Sequence, residues 1–249
     1  MIGPRDSLVR GYVLHQRPWR NTSLLVEAFT VDAGRIGLVA RGVRTRNSRT
    51  RALLEPFQPL LLSWSGRGEL HTLTGVEAEY WRGPPPGRAL LAGYYCSELI
   101  LRLLGRDDPN AEAFAAYDSA VSALAAGGQE EPTLRGFELD LLVALGFAPP
   151  LDTDPETGRA VDVDRQYDYF AEFGPVPATG PVSPDTIRVA GKHLRALADR
   201  RLDDREVLRA ARRILRASLQ PLLGTKPLKT RELYRTMYGG SGTAGPPVR

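Results

Sequence analysis

The chain has 249 residues and is 42% hydrophobic, which is enough to bury a core in one large domain or two small ones. Its apolar stretches, such as residues 60–62 and 141–145, are far shorter than the roughly 20 residues that a membrane-spanning helix needs. Cys96 is the only cysteine, so the sequence excludes an internal disulfide and a multi-cysteine zinc site. The first residues lack the apolar segment of a secretory signal, and we therefore expect a cytoplasmic protein.

The net charge of +4 is unevenly distributed along the chain. Residues 1–51 carry ten Lys or Arg and three Asp or Glu, residues 52–170 carry eight and nineteen, and residues 171–249 carry fifteen and seven. The three segments therefore have net charges of +7, −11 and +8, which add up to the total of +4. A basic beginning and a basic end predict one or two surfaces that bind a polyanion.

The first eighty residues have the pattern of short β-strands. Runs rich in β-branched, aromatic and other apolar residues predict five strands at residues 10–15, 23–30, 35–40, 59–64 and 69–74. Between the second and third runs, Asp32-Ala33-Gly34 provides the glycine that a tight hairpin requires. Five short strands without a crossover helix favour a small antiparallel barrel. An OB-fold is the first interpretation, and an SH3-like barrel is the alternative.

The rest of the chain has mostly helical periodicity. After a Gly- and Pro-rich linker, the apolar spacing predicts helices at residues 88–104, around 114–124 and around 134–145, and closing helices at residues 185–200 and 203–219. Each closing helix would begin with an Asp N-cap, at Asp185 and Asp203. The predicted fold class is α+β: an OB-fold domain at 1–82, a helical domain at 83–238 with a small hairpin and loop insertion at about 149–184, and a disordered tail at 239–249.

The sequence contains no convincing catalytic constellation. Lys226 is followed by Pro227, which does not fit a phosphate-binding loop. The three histidines are far apart in sequence and away from the cysteine; they are His15, His71 and His193. One cluster of acidic residues does not fit the pattern of a calcium-binding loop, and we interpret it as a solvated loop. It consists of Asp152, Asp154, Glu156, Asp162 and Asp164. We therefore predict no enzymatic activity, no cofactor and no metal.

The strongest local signal is the run from Arg41 to Arg51, which carries five arginines and no acidic residue. It follows the third predicted strand, so we expect a loop or strand extension in which Gly42 lets the backbone bend. Arginine suits nucleic acid because its planar guanidinium binds phosphate oxygens in two places and stacks on bases. A solubilising basic loop is the alternative. With neighbouring turns, the predicted nucleic-acid surface comprises Arg17, Trp19, Arg20, Arg35, Arg41, Arg44, Arg46, Arg49 and Arg51.

A second basic array lies on the last predicted helix, opposite its apolar face. It consists of Arg205, Arg209, Arg212, Arg213 and Arg216. Asp203, Asp204 and Glu206 compensate part of this charge, so the array is either a solvated helix face or a nucleic-acid contact.

Four segments, in order along almost the whole chain, carry a family likeness: Gly11–Trp19, Leu38–Arg44, Leu54–Leu62 and Leu222–Leu233. Together they resemble the bacterial recombination mediator family RecO. The resemblance implies an OB-fold joined to a helical domain, in a nucleoid-associated protein that acts in recombinational repair without nucleotide hydrolysis. It also implies that the protein binds single- and double-stranded DNA, anneals complementary strands, binds the single-stranded DNA-binding protein SSB and, with RecR, promotes RecA loading.

In such proteins, a segment resembling Leu134–Leu139 is implied to receive the acidic C-terminal tail of SSB. A peptide that ends in an apolar residue and a carboxylate needs a cation beside an apolar pocket. The implied pocket residues are Arg135, Phe137, Leu141, Lys226 and Lys229. A role for Phe137 and Leu141 in the helix core stays open at this point.

Some RecO proteins carry a four-cysteine zinc module in the helical domain. The corresponding region here, Leu151–Gly174, has no cysteine, so the hairpin around Tyr167–Phe170 has to be held by packing alone. The alternative function is RNA binding by an OB-fold protein of ribosome or transfer-RNA maturation.

Overall fold

The computed structural model describes residues 5–45, 48–80, 83–182 and 186–238. These residues form two compact units: the first runs up to Pro109 and resumes at Thr225, and the second is Asn110–Gly224. The units therefore divide the chain differently from the predicted domains 1–82 and 83–238, and that domain division stays a prediction. The predicted linker residues 81–82, the tail 239–249, Arg46 and Asp185 lie outside the described residues.

Five strands of the first unit form a closed barrel. They are β1 (Arg5–Trp19), β2 (Ser23–Thr30), β3 (Gly34–Ala40), β4 (Leu60–Ser65) and β5 (Leu70–Ala78). Their order is β1-β2-β3-β5-β4, with β3 and β5 parallel and the other neighbours antiparallel. The early part of β1 pairs with β4 and the later part with β2, which closes the barrel. The predicted strands and the OB-fold are confirmed.

Every second side chain of the strands points into the barrel, and these inward side chains are apolar and fill it. The inward-facing side chains of β2 and β3 are Leu24, Val26, Ala28, Ile36, Leu38 and Ala40. Because neighbouring residues on a strand point to opposite faces, the odd-numbered residues of β2 and β3 point outward. This outer face is the surface that OB-folds generally offer to nucleic acids.

The arginine-rich run is partly helical, which corrects the prediction of a loop or strand extension. Residues Arg49–Leu53 form helix α1, and Ser48 caps it by accepting a hydrogen bond from the backbone N–H of Arg51 (3.3 Å). The next residue, Leu54, is fully buried in the barrel core and anchors the helix. Gly42 has a φ of 68°, which confirms the predicted bend.

Two further helices belong to the first unit, α2 (Ala89–Leu103) and α7 (Lys229–Tyr238). The helix predicted at 88–104 is confirmed as α2, whereas α7 was not predicted. Glu98 on α2 holds the start of α7, because its carboxylate accepts hydrogen bonds from the backbone N–H groups of Lys229 (2.8 Å) and Thr230 (2.9 Å). These contacts satisfy N–H groups that have no partner inside the helix.

The second unit is built on four helices and a small sheet. Its elements are α3 (Ala111–Ala125), α4 (Glu130–Ala144), β6 (Gln166–Phe170), β7 (Gly174–Pro177), β8 (Ile187–Ala190), α5 (Gly191–Ala198) and α6 (Arg205–Leu223). Helices α3 and α4 pack together, with the buried rings of Tyr117 and Phe137 edge to face at 6.5 Å. Helix α6 packs against α4 and α5. No described helix is long and apolar enough to cross a membrane.

The predicted hairpin is confirmed as β6 and β7, but the helix predicted from Asp185 is wrong in its first part. Residues Ile187–Ala190 form strand β8, which pairs with β6 and is favoured by its β-branched side chains. Arg188 of β8 pairs with Asp168 of β6 at 2.7 Å. Helix α5 therefore begins only at Gly191, with Ala190 as its N-cap, and α6 is capped by Asp204 rather than by Asp203.

Candidate nucleic-acid interface

The turn between β1 and β2 presents cationic and aromatic side chains at one end of the barrel. His15, Arg17 and Trp19 alternate along β1 and therefore share one face of the strand. Arg17 is exposed, Trp19 is partly exposed, and the Arg17 guanidinium lies 6.0 Å from the centroid of the Trp19 ring. Arg20 follows at the turn, also exposed and with a φ of 50°.

The start of the arginine-rich run lies beside this turn. Strand β3 ends next to it, because Ala40 pairs with Leu24. The backbone N–H of Arg44 donates to the carbonyl of Thr22 (2.8 Å), and its guanidinium donates to the carbonyls of Arg20 (3.2 Å) and Asn21 (3.4 Å). The structure therefore brings five predicted residues together, and we call them the barrel rim: Arg17, Trp19, Arg20, Arg41 and Arg44.

Two further predicted arginines, Arg49 and Arg51, are exposed on α1. Arg49 follows Arg44 by five residues, so their Cα atoms are at most about 18 Å apart. Among the described residues, no carboxylate pairs with Arg17, Arg20 or Arg41. The rim therefore combines uncompensated positive charge with an aromatic ring, which suits phosphates and stacked bases respectively.

Arg35 does not join the rim, and its role as a nucleic-acid contact stays a prediction. It lies at the other end of β3, six residues and about 20 Å from Arg41. Its guanidinium donates to the carbonyls of Leu101 (2.5 Å) and Leu104 (2.8 Å) at the end of α2. Burial lowers the pKa of this guanidinium, and the side chain serves to fix α2 to the barrel.

The segment that follows α2 covers this far end of the outer face. The backbone N–H of Asp107 donates to the carbonyl of Arg35 (2.9 Å), and Arg106 forms a salt bridge with Glu27 of β2. Gly34, with a φ of 67°, lies so close to the carbonyl of Asp108 that a side chain there would collide with it. The segment that follows α2 therefore covers the far end of the outer face of β2 and β3, away from the rim.

Sequence reasoning did not identify Glu27 and Arg106, which limit the site, or His15, which shares the outward row of Arg17 and Trp19. His15, Arg17 and Trp19 are spaced by two residues, and this spacing could have placed His15 on the same strand face as the other two. The pair of Glu27 and Arg106 gave no such signal, because the two residues are 79 positions apart in the chain.

Three of the five residues predicted to receive the SSB tail are buried, and the tail site stays a prediction. Phe137 and Leu141 are 2% and 0% exposed in the core of the second unit, so the core interpretation is correct for both. Arg135 is also buried and pairs with the buried Glu138 at 3.2 Å. Lys226 and Lys229 are exposed and belong to the first unit, next to the start of α7.

Metal-binding residues do not cluster in the described parts of the chain. No group of three or more His, Cys, Asp or Glu side chains there could hold a metal ion. In the acidic loop, Asp154 accepts hydrogen bonds from the Thr157 hydroxyl (2.7 Å) and the Glu156 backbone (2.9 Å). These bonds, the one from Thr157 above all, lower the pKa of Asp154 and account for its burial as a turn-forming residue.

A closed five-stranded OB barrel with a cationic and aromatic rim, followed by helices, is typical of nucleic-acid-binding OB-fold proteins. Two family models match the chain, "Recombination protein O N terminal" at residues 5–80 and "Recombination protein O C terminal" at residues 86–232. The chain belongs to the RecO family, as its sequence segments indicated.

Curated relatives match nearly the full length of the chain. A protein of Nitrosococcus oceani is 45% identical over 236 residues, which cover 94% of this chain and 94% of the relative. A protein of Alkalilimnicola ehrlichii is 44% identical over 238 residues, 95% of this chain and 94% of the relative. A protein of Azoarcus sp. is 43% identical over 231 residues, 91% and 94% respectively. All three are named "DNA repair protein RecO".

Proposed function

We propose that this protein binds DNA in recombinational repair through the barrel rim, and that it acts as a binding protein rather than an enzyme. Membership of the RecO family supports the role in DNA repair and recombination. The observation that carries the proposal is the clustering of Arg17, Trp19, Arg20, Arg41 and Arg44 around one turn, linked by the hydrogen bonds of Arg44.

Single-stranded DNA is the ligand that fits this rim best. Trp19 offers an indole on which an unpaired base can stack, and the neighbouring arginines bind the backbone without reading the sequence. A base inside a duplex is not free to stack in this way. Duplex DNA would be held by its phosphates alone, which is a contact that the same arginines can also make.

We further propose the activities that family resemblance implies: annealing of complementary strands, binding of the SSB tail and, together with RecR, promotion of RecA loading. The buried positions of Arg135, Phe137 and Leu141 argue against an open tail pocket built from those residues. Lys226 and Lys229 are exposed and remain candidate cations for the tail carboxylates.

The test is an annealing assay with two complementary, fluorescently labelled strands, with and without SSB. We expect the protein to accelerate pairing, and the R41A/R44A variant to accelerate it less. A wild-type protein that leaves the pairing rate unchanged in both conditions would refute the annealing role.

RNA binding by the same rim is the alternative function, because arginines and an indole accept RNA as readily as DNA. Competition between single-stranded DNA and a structured RNA of equal length separates the two functions. DNA should displace the RNA, whereas preferential retention of the RNA would favour the alternative.

A further inference from the structure

We infer that the tip of the β6–β7 hairpin docks on the barrel rim of a second copy of this chain, so that the second copy and DNA compete for the rim. The hairpin belongs to the second compact unit and the rim to the first. Because two different surfaces meet, the contact is head-to-tail. The competition with DNA rests on the proposed function of the rim, whereas the contact between two copies does not.

Two aromatic rings are exposed at the tip of the hairpin. Phe170 ends β6 and Phe173 lies in the turn before β7, and the two side chains belong to residues that are 41% and 46% exposed. Their rings stack with the centroids 4.7 Å apart and the planes inclined by 18°. The preceding residue, Tyr169, is 2% exposed and points into the unit, which places Phe170 on the outer side of the strand. The ring pair therefore offers an apolar surface to solvent.

The tip of the hairpin is held in a defined position. Phe170 pairs with Gly174, and Pro150 lies against that glycine so closely that a Cβ atom there would be 2.8 Å from the proline Cγ. Gly174 also has a φ of 101°, which only glycine adopts readily. Nearer the start of β6, Asp168 pairs with Arg188 of β8 at 2.7 Å. A surface that is ordered before binding loses little conformational entropy when a partner docks.

The rings lie in an acidic part of the chain. Residues 151–174 contain seven Asp or Glu and two Arg, which gives a net charge of −5. Glu172 lies between the two phenylalanines in the turn. Among the described residues, no cation pairs with four exposed carboxylates, those of Asp152, Glu156, Asp164 and Glu172. This charge repels phosphates, so the rings do not suit a nucleic-acid base, and it attracts a cationic protein surface.

The barrel rim has the complementary chemistry. Arg17, Arg20 and Arg41 are exposed and, in the described part of the chain, have no carboxylate partner. A guanidinium pairs with carboxylates and also stacks on aromatic rings, and the partly exposed indole of Trp19 can pack on the phenylalanines. Every molecule of this chain carries both halves of the contact. We therefore assign the second copy, rather than another basic protein, as the partner.

Such a contact is weak and sensitive to salt. Two rings and a few charges form a small surface, which is typical of transient rather than permanent interfaces. Exposed charge pairs are screened as the ionic strength rises. The rim arginines that meet the carboxylates of the hairpin are those that bind phosphates, so a bound DNA strand displaces the second copy. Self-association thus occupies the rim only while the protein is free of DNA.

The test is sedimentation velocity of the full-length protein at low salt over a series of concentrations. We expect the average mass of the wild type to rise with concentration above the 27.3 kDa of one chain, and to return to that value at high salt. F170S/F173S and R41A/R44A should each stay close to the mass of one chain, because each lacks one half of the contact. The control L233S/M237S removes exposed apolar side chains from α7 and should associate as the wild type does.

Mixing the two defective variants tests the head-to-tail arrangement. F170S/F173S keeps its rim and R41A/R44A keeps its hairpin, so an equimolar mixture should form a complex of two chains and grow no further. The inference is refuted if the mixture stays at the mass of one chain. It is also refuted if the wild type does so at every concentration, or if either variant alone associates as strongly as the wild type.

An oligothymidine added to the associated wild type separates this inference from the proposed function. We expect the strand to disperse the protein into single chains that carry DNA. A strand that binds without dispersing the protein refutes the shared use of the rim. If R41A/R44A stays a single chain but binds the strand with the affinity and salt slope of the wild type, the contact between copies is supported and DNA binding at the rim is contradicted.

Discussion

Replacing Arg41 and Arg44 by alanine removes two cations from the barrel rim, and we expect this change to flatten the salt dependence of DNA binding. Arg41 is exposed, and its side chain makes no hydrogen bond or salt bridge with another described residue. Arg44 also holds the turn at Arg20 and Asn21 through its guanidinium, but the backbone bond from Arg44 to Thr22 remains in the variant. The fold of the barrel should therefore survive the double substitution.

The magnitude follows from counterion release. Each phosphate contact on a single strand contributes about 0.7 to the slope of log affinity against log salt, so two lost contacts reduce the slope by about 1.4. Between 50 and 200 mM salt, a slope difference of 1.4 changes the ratio of wild-type to variant affinity by about sevenfold. The effect of the variant is therefore larger at low salt.

Fluorescence anisotropy with a labelled oligothymidine at four salt concentrations measures both slopes. A control variant, R159A/R165A, has the same net charge as R41A/R44A, but its substitutions lie outside the rim. Its slope of log affinity against log salt should therefore match that of the wild type. Equal slopes for all three proteins would refute the assignment of phosphate contacts to Arg41 and Arg44. An equal drop in both variants would mean that net charge, and not the rim, controls binding.

Three further substitutions separate contact residues from structural ones. Trp19→Ala should weaken binding of single-stranded DNA by about 1–3 kcal/mol with an unchanged salt slope, because stacking is lost and no charge is removed; an altered slope would contradict stacking. Arg35→Ala should lower the free energy of unfolding in urea by about 2–4 kcal/mol, because its bonds to Leu101 and Leu104 are lost, and the salt slope should not change. Arg135→Met should cost about 3–5 kcal/mol of stability, because it removes the cation beside the buried Glu138 carboxylate, and R135M/E138L should recover most of it. A stable Arg135→Met protein that loses only SSB-tail binding would restore the predicted tail pocket.

The barrel was predictable because each of its strands carries its own local signal. The short runs of apolar and β-branched residues in β2 and β3, and Gly34 between them, predict strand and turn without reference to the rest of the chain. The clustering of the rim follows from the strand order. Strand β3 ends beside the start of β2, so the basic run after β3 lies next to the turn between β1 and β2.

The structure departs from the sequence-based expectations where a contact with a distant residue decides the surroundings of a side chain. Arg35 is basic and close to a turn, but its partners Leu101 and Leu104 lie more than sixty residues away. Arg135 looks like a free cation in the sequence and is instead buried with Glu138. Strand β8 is four residues long and forms because it can pair with the edge of β6. The sequence predicted a helix there, because the residues that follow β8 are helical.

Hydrogen–deuterium exchange of the full-length protein with and without single-stranded DNA tests the central claim most directly. If the barrel rim binds DNA, exchange should slow in peptides that cover residues 17–24 and 40–51, and peptides that cover residues 27–37 should change little, because the segment after α2 already covers that end of the barrel. DNA-dependent protection of residues 27–37 without protection of the rim would contradict the account.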